Sequence, residues 1–281
     1  MAPHRQSHQA PNQSRDKEKN QKERSNHFPE VAQIVAYGEI DAVVLFFVPV
    51  IRFGMDSSIQ TQNFIVRELL ESDYTQISAI CAKVYPTERP YTDPELSEHH
   101  RLFPEGQFVA IHQPTGSVAG VHFTLMIWLT HFHIDDPWDV LTAKGTFADH
   151  DPTGHTLYGA DLFVDPAYQH HGLGRKLTKA AQQLTCSKKL WRMVGGSRLP
   201  GYHKVSKEIS PDEYVRKVKS GELTDPALTV HLHDGWEPIT AIQGYLPHDT
   251  ESEGWAAVIQ WINPTCPPPL NWEISKVPHK K

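Results

Sequence analysis

The sequence predicts an α+β fold, a sandwich built around one mixed sheet, and three observations predict it. From Asn63 onward, short apolar runs of strand length alternate with segments of helical spacing. Hairpin signals stand near both ends of that region. At 281 residues, 39% hydrophobic and 21% charged, the chain carries enough apolar material for one large core.

The elements follow in order. Phe64–Leu69 (FIVREL) reads as a strand, and Ser72 caps a helix with Tyr74, Ile77, Ile80, Ala82 and Val84 on its apolar face. Pro94–His100 reads as a short second helix. QFVAIH, a Pro-Thr-Gly turn and SVAGVHFTLMIWL read as a hairpin of two long strands. Residues 130–155 read as a polar loop rich in Asp and His. TLYGADLFV is the next strand, LGRKLTKAAQQLT a helix, WRMVGG a short strand and SPDEYVRKVKSG a helix. DPALTVHLHDG predicts another helix, and WEPITAIQGY and WAAVIQWI close the sheet.

Outside residues 63–262 the composition changes. Residues 1–27 contain no large apolar residue after Met1, which predicts a disordered polar tail. Residues 28–62 form an apolar extension, and Met55 is an alternative start. Its core, Ala42–Ile51, is ten residues long and contains Pro49. A bilayer span needs about 20 apolar residues, so no membrane span is expected, and no secretory signal either. Residues 263–281 read as a Pro-rich tail.

The formal charge is −6; residues 1–27 hold about +3 and the remainder about −9. An acidic body offers no clustered cations for nucleic acid. The three cysteines, Cys81, Cys186 and Cys266, form no CxxC pair, so neither a disulfide framework nor a thiolate zinc site is indicated, and a reducing, cytoplasmic setting is expected. Among 18 histidines there is no HExxH pattern. His131, His133, Asp135 and Asp136 alternate as in a strand and read as a solvated loop rather than metal ligands.

The chemistry concentrates in Leu157–Leu184, LYGADLFVDPAYQHHGLGRKLTKAAQQL. A strand runs to Val164, Asp165-Pro166 ends it, and Gly172 and Gly174 stand at the mouth of a helix. That helix carries Leu173, Leu177, Ala181 and Leu184 on one face. Glycines there let main-chain N–H groups approach an anion, and the helix dipole adds about 0.3–1 kcal/mol. Arg175 adds a full positive charge. The pattern predicts a pyrophosphate cradle. It is not a P-loop, which needs GxxxxGK[ST], nor a GxGxxG dinucleotide fingerprint, since Leu177 stands where the last glycine would be.

Gln169-His170-His171-Gly172-Leu173-Gly174 resembles the Q/R-x-x-G-x-G/A signature of the GNAT superfamily, the acetyl-CoA-dependent N-acetyltransferases. Ala227, Gly235 and Trp236 resemble a second family pattern, A-x-x-x-Y-x-x-x-G-F, with His231 in the Tyr position. The order of elements agrees over roughly residues 63–262. HDPTGHTLYGADLFVDP, GGSRLPGYHK, DEYVRKVKSGELTDPALTVHL and GYLPHDTESEGWAAVIQW also look like the acyltransferase half of proteins fused to a carbon–nitrogen hydrolase, which implies a standalone version of that half.

The resemblance implies a mostly antiparallel sheet whose fourth and fifth strands splay apart to admit the pantetheine arm of acetyl-CoA. By position, Leu162, Phe163 and Val164 pair with that arm, and amides of Gln169, His170, His171, Gly172, Leu173, Gly174 and Arg175 hold the pyrophosphate. No metal is required. The acceptor is a small-molecule or protein amine; nothing indicates an oligomeric state. His231 is the candidate general acid, against a plain structural hydrogen bond. Asp161 is the candidate base, although strict strand alternation puts it opposite Leu162 and away from the cleft. Tyr158, on the face of Ala160 and Leu162, lines the acceptor pocket or is a core tyrosine. Arg198 holds an acceptor carboxylate or makes a structural salt bridge. A binding module of the same fold without turnover is the competing function, and an adaptor that binds no CoA is a third.

Overall fold

The computed structural model describes residues 63–134, 136–247 and 249–269. The expected tail at 1–27, the extension at 28–62, Asp135 and the end of the C-terminal tail lie outside them.

Seven strands form one sheet in the order β1-β2-β3-β4-β5-β7-β6. They are β1 Phe64–Glu68, β2 Gln107–His112, β3 Ser117–Ile127, β4 Thr156–Val164, β5 Arg192–Arg198, β6 Glu237–Gln243 and β7 Trp255–Ile262. Every neighbouring pair is antiparallel except β4 and β5. A parallel pair needs a crossover, and helix α4, Leu173–Ser187, supplies it.

Helices cover both faces. The α4 side buries Leu173, Leu177 and Ala181 with Leu157, Met193 and Trp236. Each fully buried leucine there contributes about 1.5–3 kcal/mol. The opposite side packs α1, Tyr74–Val84, and α2, Asp93–Leu102, through Ile77, Ile80 and Leu96 onto Val121, Phe123 and Phe163. With both faces covered, β3 is buried from Val118 to Ile127, so its sequence is a continuous apolar run rather than an alternation.

Local chemistry sets the helix ends. Glu95 reaches back to accept the Thr92 N–H at 2.8 Å, with Pro94 in the first turn of α2. Ser210 accepts the Glu213 N–H at the start of α5, Pro211–Ser220, and Gly221 (φ +80°) ends it. Helix α6, Leu228–His233, follows after a short loop.

Three expectations change in detail. A 3-10 turn at Glu71–Asp73 precedes α1, and the residue that organises it is Asp73, whose carboxylate accepts the Leu70 N–H, rather than Ser72. The fifth strand continues two residues past WRMVGG to Arg198 because β7 pairs with it throughout. Residues 130–155 are not only a polar loop. They hold α3, Trp138–Leu141, and they bury Leu141 and Phe147 in the core beside α2. Isolated apolar residues without periodicity gave no signal for this. Among the described residues no helix is long and apolar enough to cross a membrane.

Candidate active site

β4 and β5 pair only from Thr156↔Arg192 to Gly159↔Gly195. Beyond that point β4 runs on to Val164 against β3, and β5 runs on to Arg198 against β7. The two strands part, and from Ala160 onward one edge of β4 faces the gap. Leu162, Phe163 and Val164 stand on this free edge.

A bulge sits where the strands part. Phe123 pairs with Asp161 and Thr124 with Gly159, so Ala160 is an extra residue in β4. Tyr158, Ala160 and Phe163 belong to the α1–α2 core, and Leu157, Leu162 and Val164 to the α4 side. Asp161 accepts hydrogen bonds from tyrosines of the α1–α2 segment. Alternation therefore fails at this point: Asp161 shares a face with Tyr158, while Leu162 lies across the sheet from Tyr158. The free carbonyl of Ala160 accepts the Trp138 indole N–H at 2.7 Å, which ties the bulge to α3.

The loop into α4 is built for a main-chain approach. Asp165 caps a short turn, accepting the Ala167 N–H and pairing with Lys83 at 2.9 Å. His170 (φ +65°) and Gly172 (φ +70°) are both left-handed, and a β-carbon on Gly174 would meet nothing within 4 Å. The first-turn N–H groups have no carbonyl in their own helix to bond. The Lys176 N–H returns to the Gly172 carbonyl, so the amides ahead of it point along the helix axis. Leu173 is buried, leaving only its main chain to serve a ligand. Gln169 and His170 are exposed; His171 packs against Phe64 at 5.6 Å. Arg175 is already engaged: its Nε bonds Asp234 at 2.6 Å, joining the start of α4 to the end of α6.

Two imidazoles lie on the α4 side. His122, on β3, has Nδ1 3.4 Å from the Leu177 carbonyl, and Nε2 3.1 Å from where a Gly159 β-carbon would stand. His231, on α6, meets Trp236 edge-on at 5.7 Å. Burial pushes both down to about 4, outweighing the Leu177 carbonyl at His122 and the Asp234 and Asp225 carboxylates at His231. Both are neutral at pH 7.

The opposite face collects oxygens. Tyr85 and Tyr91 donate to the two carboxylate oxygens of Asp161 at 3.1 Å each. Burial raises the Asp161 carboxyl to about 6, while the two phenols and the Leu162 N–H hold it down. Tyr158 is fully buried, and its hydroxyl bonds that of Tyr245 at 2.7 Å. The Tyr245 ring occupies the space a Gly196 β-carbon would need, 2.1 Å away. Arg198 grips Asp249 with two 2.6 Å bonds and Glu251 with a third at 3.2 Å, so its fork is turned to the β6–β7 loop.

Tyr85, Tyr91, Trp138, His122 and Tyr245 are site neighbours that the sequence did not single out. The available signal was the placement of two tyrosines around the PTERP connection between two helices. An open recess of about 480 Å³ lined by Trp128, His131, Phe132, Asp149, His150 and Asp151 lies at the far end of β3 and β4, and none of the site residues line it. Asp136 accepts the His133 N–H at 2.8 Å; among the described residues no cluster suited to a metal ion is found.

The profile of the acetyltransferase (GNAT) family matches residues 66–191. YkwB of Bacillus subtilis (strain 168), an N-acetyltransferase by its name, is 32% identical over 202 residues, covering 70% of this chain and 88% of YkwB. This chain belongs to the GNAT acetyltransferase family. A second relative, the probable hydrolase YhcX of the same organism, is 30% identical over 202 residues; the match covers 72% of this chain but only 39% of YhcX. Two solved structures share the GNAT fold at a TM-score of 0.57, each covering 71% of this chain. One is the GphF GNAT-like decarboxylase in complex with isobutyryl-CoA, 23% identical and covered over 99% of its length. The other is the loading GNATL domain of CurA from Lyngbya majuscula, 20% identical and covered over 98%. The parted β4 and β5 and the open start of α4 are thus features of a GNAT domain.

Proposed function

We propose that this chain is an N-acetyltransferase, its catalytic unit spanning residues 63–262, that moves an acetyl group from acetyl-CoA to an amine. The observation that carries the reading is the free edge of β4 beside the uncapped amides of α4. One gap offers strand backbone to an amide-bearing arm and N–H groups to a diphosphate. The isobutyryl-CoA held by the GphF domain supports an acyl-CoA donor here. The family membership supports acetyl as the group moved. Three free cysteines suit a reducing cytoplasm.

The reaction needs no covalent enzyme intermediate. The amine nitrogen attacks the thioester carbon, the carbon–sulfur bond breaks, and the thiolate leaves with the electron pair. Alignment of the two reactants supplies about 7–11 kcal/mol of the barrier reduction. Asp161, ionised above about pH 6, takes the proton the ammonium must lose. Across the sheet, neutral His231 offers an N–H to the departing sulfur. Main-chain N–H groups of Gln169 to Arg175 hold the pyrophosphate, and Leu162 to Val164 pair with the pantetheine. Tyr158 walls the acceptor side and Arg198 braces it through Asp249.

A binding module without turnover is the second reading. The neutral state of His231 favours it, because a neutral imidazole is a far weaker acid than an imidazolium. Purified protein mixed with acetyl-CoA and a panel of amines separates the two. Release of free thiol dependent on an amine supports the transferase; CoA binding with no thiol release across the panel supports the module.

A further inference from the structure

We infer that Tyr85 and Tyr91 are positioning residues that act through Asp161, and that the three together form a recess for the ammonium head of a primary amine acceptor. The inference rests on the transferase reading above and deepens it.

The two tyrosines come from the two ends of the α1–α2 connection. Tyr85 follows α1 directly, and Tyr91 precedes Thr92 at the start of α2. Each phenol serves one carboxylate oxygen, Tyr85 Oδ1 and Tyr91 Oδ2, both at 3.1 Å. Each ring is also held edge-on by a core phenylalanine, Tyr85 on Phe163 at 5.8 Å and Tyr91 on Phe123 at 5.3 Å. The carboxylate is therefore fixed in rotation by groups that are themselves locked to β3 and β4.

The choice of donors decides what the recess receives. A lysine or arginine in place of either tyrosine would cancel the charge of Asp161. A phenol satisfies an oxygen and leaves the charge intact. Burial keeps both phenols protonated far above neutral pH, so they stay donors throughout the working range. The guanidinium groups beside the two tyrosines are taken up by other carboxylates, Arg198 by Asp249 and Glu251 and Arg89 by Glu95. Cys81 on α1, pushed up to about 11, and the Tyr158–Tyr245 pair are neutral at pH 7, and Glu88 on the connection adds an acidic group rather than a cation. What is left is one unneutralised carboxylate walled by aromatic rings, a surrounding that attracts a cation and repels an anion. An ammonium bound there lies against the group that takes its proton.

Tyr85→Phe, Tyr91→Phe and the double variant of the full chain test this. Two measurements are read: the pH dependence of kcat/KM with a panel of linear primary amines, and the 13C titration of the Asp161 carboxyl in the CoA-loaded protein. Loss of a phenol removes a donor that favours the charged form, so the acid limb and the carboxyl midpoint both move to higher pH, by about half a unit or more per phenol. The amine KM rises several-fold while CoA affinity is unchanged. A merely structural role would lower kcat equally at every pH with the limb in place. An unmoved limb and midpoint in the double variant, or an unchanged amine KM, overturns the inference. Should the wild type release no thiol with any amine, the transferase reading falls instead. The recess is then judged on the carboxyl titration and on whether butylamine binds more weakly to the double variant: both effects uphold it, and the lack of either overturns it.

Discussion

The two faces of the sheet surround their ionisable groups with different partners, and the contrast runs between the proposed donor and acceptor halves of the site. On the α4 face His122 is buried and His231 half-buried, and desolvation drives both to about 4, hence neutral, against the Leu177 carbonyl at one and the Asp234 and Asp225 carboxylates at the other. On the α1–α2 face Asp161 is half-buried, two phenols and a main-chain N–H meet its oxygens, and it settles at about 6 rather than higher. Desolvation works against charge on both sides and outweighs the groups that oppose it on each, carbonyl and carboxylate oxygens on one face and hydrogen-bond donors on the other.

The largest break in this contrast is expected on the donor side. Gly174→Glu places a carboxylate in open space at the mouth of α4, so the fold stands while CoA affinity falls on the order of 100-fold or more, by like-charge contact with the pyrophosphate. Calorimetry with CoA alongside a melting curve checks both halves, and retained affinity would remove the cradle. Next, Asp161→Asn keeps CoA affinity and lowers turnover about 10²-fold or more. Asp161 must be ionised to act, so wild-type kcat/KM rises as pH increases through about 6, and the variant loses that limb. A limb that persists in the variant would assign it to another group. His231→Ala should lower kcat at least about tenfold at unchanged CoA affinity. No limb from His231 is expected between pH 5 and 8, because its imidazole titrates near 4.

The smallest effect is on stability. His122 and His231 bind protons in the unfolded chain near 6.5 but only near 4 when folded, so their burial costs stability progressively as pH falls from about 6.5 to 4. His99 and His150, also depressed by burial, act in the same direction. Asp161 opposes them, since its raised folded value favours the folded state as pH falls through about 6. Four histidines outweigh one carboxylate, and Tm should drop between pH 7.5 and pH 5. His122→Gln should flatten part of that drop; an equally steep curve would place the loss elsewhere.

Much of the donor half was legible beforehand because it is written locally. Glycines at 172 and 174, a strand ending at Asp165-Pro166 and an amphipathic helix after them are neighbours in the chain, and their geometry follows from backbone sterics and the helix dipole. The acceptor half was barely legible. Asp161 stands 70 or more residues from Tyr85 and Tyr91 along the chain and meets them only through packing. Asp161 was readable as an acid on a strand, opposite Leu162, but strict alternation put Tyr158 and Ala160 on the Leu162 face rather than on that of Asp161, because a bulge is decided by the partner strand and leaves no mark in the strand's own sequence. Arg198 shows the same limit: its two-pronged donor was plain, and its attachment to Asp249 was not.

By itself the sequence determined the order of strands and helices, the apolar faces and the glycine-bearing turn into α4, all set by period, turn chemistry and short-range hydrogen bonding. Tertiary structure alone decided where β4 and β5 part, which face Asp161 takes and which side chains surround it. Those outcomes depend on contacts between distant segments, and burial there shifts proton affinities in ways no residue carries on its own.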